Sequence, residues 1–125
     1  MKNKKLFVIG LLLLSLMLAA CSSSNNSGFP TGKFVKSNNE NRALSFNKDE
    51  TFSVFDGSSM LVNGTYSVDG DTVTDVANSQ GCPPMKFKYT FDGKTLTLNY
   101  VGSPADDPCD GRRNDFDNQT YLLSK

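Results

Sequence analysis

Two stretches decide how this chain folds: Gly64-Thr65-Tyr66-Ser67-Val68-Asp69-Gly70-Asp71-Thr72-Val73 and Tyr89-Thr90-Phe91-Asp92-Gly93-Lys94-Thr95-Leu96-Thr97-Leu98. In each, apolar and polar side chains alternate on both sides of an Asp-Gly pair. Alternation with period two marks a strand with one dry face and one wet face. Asp-Gly supplies the positive φ values that a two-residue hairpin turn demands. Both stretches read as β-hairpins.

Working outward, the same pattern recurs from Gly32 to the C-terminus. The strands it predicts are Gly32–Lys36, Ala43–Asn47, Thr51–Phe55, Thr65–Val68, Thr72–Val76, Lys86–Phe91, Thr95–Val101 and Gln119–Leu123. Leu44/Phe46, Phe52/Val54, Tyr66/Val68, Phe87/Tyr89/Phe91, Leu96/Leu98/Tyr100 and Tyr121/Leu123 share the dry face, with Phe34 and Val73. Asn47–Glu50 and Asp56–Ser59 add two more tight turns. No window after the first 20 residues keeps helical spacing over three turns. Sequential hairpins of this kind predict an all-β fold, a small antiparallel meander barrel of about eight short strands.

The first residues carry a different signal. Met1-Lys2-Asn3-Lys4-Lys5 is cationic, and Leu6–Leu18 is apolar apart from Gly10 and Ser15. At about 1.5 Å per residue that run is too short for a hydrocarbon core of ~30 Å, so it reads as a signal-peptide core. Leu18-Ala19-Ala20-Cys21 resembles the lipobox of bacterial lipoproteins. The resemblance implies cleavage before Cys21 and a lipid on its sulfur, which places the protein in the bacterial cell envelope. It would be anchored on the outer face of the cytoplasmic membrane or in the outer membrane. Residues 1–20 are then a signal peptide, 21–31 a lipidated polar tether, and 32–125 the folded domain.

Charge and composition narrow the function. Without residues 1–20 the chain has 10 basic against 13 acidic residues and no histidine. A basic excess is the footprint of nucleic-acid binding, and it is missing. His-based triads, His metal sites and imidazole switches are unavailable. No serine lies in Gly-x-Ser-x-Gly, and a single small domain rarely builds a substrate cleft for carboxylate chemistry. The expectation is a non-enzymatic protein without a cofactor.

Three cysteines are present, Cys21, Cys82 and Cys109. With Cys21 lipidated, Cys82 and Cys109 form the remaining pair in an oxidising compartment, flanking the hairpin 86–101. A disulfide is expected, worth roughly 3–4 kcal/mol by loop entropy. A redox pair of the thioredoxin type would have its cysteines two residues apart at a helix start. The acidic loop Asp106–Asp117 puts Asp106, Asp110, Gly111 and Asp117 at EF-hand positions one, five, six and twelve. Pro108 sits at position three and Arg112 and Arg113 lie within it, so Arg–Asp pairing is expected instead of a metal.

The two hairpins, with Cys82-Pro83-Pro84 and Asp107-Pro108-Cys109-Asp110-Gly111-Arg112, resemble the small lipocalin-like lipoproteins of bacteria. The likeness covers most of residues 32–125. It implies an eight-stranded meander barrel with no assigned reaction. Secreted lipocalins carry Gly-x-Trp on the first strand, where this chain has Gly32-Lys33-Phe34.

Such a barrel can be filled by side chains or can hold one small ligand. The count of inward rings favours filling, which predicts an interaction module working through rim loops Asp56–Leu61, Asn78–Pro84 and Ser103–Asn118, or through a shallow mouth. The alternative is a binder of a small apolar or amphipathic molecule. Its cavity would be faced by Tyr66, Phe87, Tyr89 and Tyr100. Expected partners are the membrane, through the lipid on Cys21, and such a ligand or an envelope protein.

Overall fold

A computed structural model describes residues 28–79, 81–109 and 111–125. The expected signal peptide, the expected lipid site at Cys21 and most of the expected tether lie outside the described residues.

Eight antiparallel strands follow in chain order: β1 (Gly32–Lys36), β2 (Asn39–Phe46), β3 (Thr51–Asp56), β4 (Ser59–Asp69), β5 (Thr72–Ala77), β6 (Met85–Phe91), β7 (Thr95–Tyr100) and β8 (Gln119–Leu123). Each pairs with the next, and β1 pairs with β8, so the sheet closes into a barrel. Both Asp-Gly pairs turn the chain between antiparallel strands, but not as two-residue loops of Asp and Gly. Asp69 pairs with Thr72 and Phe91 with Leu96, and only Gly70 and Gly93, not Asp69 or Asp92, take positive φ. The all-β meander barrel stands as read from the alternation.

Three other expectations need correction. β4 begins at Ser59, not near Thr65, so Asp56–Leu61 is no rim loop. Its turn is Gly57 and Ser58, and Met60 and Leu61 are exposed on the strand. The run Met60-Leu61-Val62 has no polar alternation to reveal a strand. Its pairing with β3 slips by a residue after Val54, as a bulge does. The expected loop Ser103–Asn118 carries a 3-10 turn, Pro104–Asp106, and a short helix α1 (Gly111–Phe116). Finally, packed structure starts before Gly32. Phe29 and Pro30, within the expected tether, are buried.

The core is uneven along the barrel axis. One end carries the turns 47–50 and 69–72 and the incoming N-terminal segment. There Phe29 plugs the barrel, with its ring centre 5.0 Å from Phe46, 5.3 Å from Tyr66 and 4.8 Å from Tyr89. Such edge-to-face rings fill space well. Gly64, midway along β4, allows β4 and β5 to pinch together opposite Ala77: a Cβ at this position would lie 2.1 Å from the Val76 carbonyl oxygen. The other end carries the loops 78–84 and 101–118. Several of its inward residues are smaller, Val54, Val62 and Ala77, beside the rings of Phe52 and Phe116.

Candidate functional site

That change in side-chain size leaves a half-open cavity of about 450 Å³ at the loop end. Small-molecule sites span roughly 300–1,000 Å³, so this one is large enough for a compact ligand. Phe52 and Val54 from β3, Val62 from β4, Ala77 from β5 and Phe116 from α1 give it a mainly apolar wall. Phe116 is itself anchored, its ring 5.1 Å from Phe87 in the barrel core.

α1 is too short to be stable alone, so its position depends on its ties. Asp107 is the centre of one set. Arg112 donates to it through Nη2 at 2.7 Å and Nε at 3.0 Å, the Cys109 amide at 2.8 Å, and the Tyr100 hydroxyl at 3.0 Å. Arg112 Nη1 also donates to the Pro83 carbonyl at 2.6 Å, joining α1 to the loop before β6. Burial pushes the Asp107 carboxyl up, but the hydrogen bonds from Arg112, Cys109 and Tyr100 outweigh it and hold it below the usual value. Asp115 anchors the other side, 3.6 Å from Lys36 Nζ and 3.4 Å from Arg42 Nε. Burial raises its carboxyl against the pull of both cations. The Tyr121 hydroxyl donates to the Asp115 carbonyl at 2.9 Å.

The disulfide is formed as expected, Cys82 to Cys109 with Cα atoms 5.9 Å apart, and both half-cystines line the cavity. It joins the loops before β6 and before α1. Cys109 lies just before α1, but its partner is 27 residues away, not the two of a thioredoxin-type pair. The expected Arg–Asp pairing in the acidic loop is realised by Arg112 and Asp107. Asp117 accepts the Tyr100 amide at 3.3 Å, and Asp110 lies outside the described residues. Among the described residues no group of three His, Cys, Asp or Glu could hold a metal ion.

The four rings expected to face a ligand stand elsewhere, and none lines the cavity. Tyr66 and Phe87 belong to the packed core, Tyr66 donating to the Asn47 carbonyl at 2.7 Å. Tyr89 covers Phe29 at the plugged end. Tyr100 is committed to Asp107. The rings of Phe29, Phe46, Tyr66 and Tyr89 fill the plugged end, and the cavity lies at the other, beside the smaller Val54, Val62 and Ala77.

One residue the sequence reading passed over lies in the cavity wall. Asp75 is inward on β5 between Val73 and Ala77, with 1% of its surface exposed, and its Oδ1 has no hydrogen-bond partner in the structure. Burial raises its carboxyl to about 7; Arg112 and the Met85 backbone N–H oppose the rise, and Asp107 adds to it. Period two from Val73 already placed it inward, but a carboxylate is not expected in a barrel interior.

No protein-family profile matches the sequence, and neither a curated protein nor a solved structure matches it.

Proposed function

We propose that this protein is a lipid-anchored, non-enzymatic binding protein of the bacterial cell envelope, a small lipocalin-like module that holds a compact amphipathic molecule in the mouth of its barrel. The observation that carries this reading is the half-open cavity of about 450 Å³, apolar in its wall and charged at its rim through Arg42, Arg112 and Asp115. An apolar wall with a few polar groups is the usual make-up of a small-molecule site. A module working only through its loops has no use for such a space.

The lipobox and the direction of the chain supply an orientation. Residues 22–28 separate Cys21 from Phe29, and Phe29 plugs the end opposite the cavity. A lipid on Cys21 would turn the plugged end toward the bilayer and the mouth toward water. The ligand would then arrive from the aqueous side.

The chain contains no tryptophan, so an indole ligand fluoresces on a nearly dark background. The test is titration of tryptophol, a neutral indole alcohol, into the full chain in lipid nanodiscs, with empty discs as the blank. Saturable binding is expected, and Ala77→Phe, which fills the cavity, should abolish it. Signal that merely tracks the lipid, or binding indifferent to Ala77→Phe, would overturn the reading.

A further inference from the structure

The cavity wall contains one buried polar atom that the fold leaves without a hydrogen bond. Buried polar atoms are almost always hydrogen-bonded, and a buried carboxylate without a cation is rarer still. Asp75 Oδ1 is nevertheless unpartnered, in a side chain with 1% exposure. The cations around it are engaged elsewhere. Arg112 directs Nε and Nη2 to Asp107 and Nη1 to Pro83. Arg42 and Lys36 are paired with Asp115. Asp75 takes part in none of the ion pairs among the described residues.

We propose that Asp75 is the recognition group of this cavity and that its ligands are small organic cations, a protonated amine on a compact apolar body, the ammonium donating to Asp75 Oδ1 and the body resting on Phe52, Val54 and Phe116. The proposal rests on the reading of the cavity as a binding site and names its ligand class. An ammonium has donors and no acceptor, which suits an acceptor lacking a partner. A neutral donor would fill the hydrogen bond but leave the charge uncompensated. An anion at this position would meet the Asp75 carboxyl, while Arg42 and Arg112, which also line the space, are already engaged by Asp115, Asp107 and Pro83.

Proton linkage gives the proposal a second signature. Asp75 keeps its proton to about pH 7, because burial outweighs the attraction of Arg112 and Asp107 repels. Arg42 and Asp115 at the rim, Lys36 and Asp56 paired with them, and Tyr100 beyond Asp107 are further charged or titratable groups on this side. An ammonium bound at Oδ1 favours the ionised carboxyl, so its binding expels a proton when the free protein is protonated. Affinity for a cation therefore rises with pH through about 7 and levels off above it. The alkylammonium itself stays charged to about pH 10.

The experiment compares three indole ligands on the full chain in nanodiscs: tryptamine as the cation, tryptophol as the neutral analogue and indole-3-propionate as the anion. A charge-assisted hydrogen bond should make tryptamine bind at least about tenfold tighter than tryptophol at about pH 8.5, with propionate weakest. That advantage should shrink at about pH 5.5, where Asp75 holds its proton. Asp75→Asn should reduce tryptamine to the level of tryptophol while tryptophol binding persists. If tryptophol binds saturably but tryptamine gains nothing over it, at either pH or from Asp75, the cation assignment is overturned and the binding cavity survives. If none of the three binds, both readings fail.

Discussion

Asp75 gives the residue scale its clearest consequence. Its carboxyl titrates near 7 in the fold, against 3.8 when unburied. Because the folded value is raised, the folded state holds the proton more tightly between those values. The burial penalty is absent below about pH 4, grows as pH rises and is complete above about 7. By linkage it amounts to about 4 kcal/mol. Asp75→Asn should therefore raise the melting temperature at about pH 8 and change it little at about pH 3.5. An equal effect at both pH values would show that Asp75 is not charged and buried. Gly64 is the opposite case, where a methyl group cannot be added. Its Cβ would meet the Val76 carbonyl oxygen and the Ala77 Cα, both backbone. Gly64→Ala should cost about 1–3 kcal/mol in denaturant melts, the usual penalty of overpacking. An unchanged midpoint would mean that β4 and β5 can separate there without loss. Phe87, fully buried between Phe46 and Phe116, is an ordinary core ring. Phe87→Ala should cost roughly 3–5 kcal/mol.

At the scale of elements, the sequence was most informative where alternation and Asp-Gly turns coincide. The turn ends of the β4–β5 hairpin and both strands of the β6–β7 hairpin were legible to within a residue or two for that reason. The first half of β4 was hidden because Met60, Leu61 and Val62 are all apolar. α1 was hidden because six residues do not complete two turns, so no period can appear. Its one apolar anchor, Phe116, stands among Asp115, Asp117 and Asn118 and looks like part of a polar loop. The candidate site draws on these hidden pieces. α1 forms part of the cavity wall, and its placement depends on long-range ties that spacing cannot reveal. The Arg112–Asp107 pair is one such tie, with the Asp107 side chain fully buried. Removing one partner of a buried pair leaves a charge unpaired, so Arg112→Leu should cost about 3–5 kcal/mol. Chemical denaturation against wild type measures it; a loss below about 1 kcal/mol would class the pair with exposed surface bridges. Reducing the Cys82–Cys109 bond should cost roughly 3–4 kcal/mol and weaken ligand retention together, since the bond is also part of the cavity wall.

The whole molecule is a barrel divided along its axis. Aromatic residues and Phe29 close one end, and small apolar residues under α1 leave the other open. The anchor proposed at Cys21 would set which end meets water. Cys21→Ser should release the protein from membranes or leave its leader uncut. Unchanged membrane fractionation with normal processing would contradict lipid anchoring. The division of the barrel is tested most directly by intermolecular NOEs between tryptophol and the methyl groups of the full chain in nanodiscs. The expected contacts are Val54, Val62 and Ala77, with none to Leu44 or Leu96 in the packed core. NOEs to those core methyls, or saturated indole with no NOE to Val54, Val62 or Ala77, would contradict a ligand site at the open end.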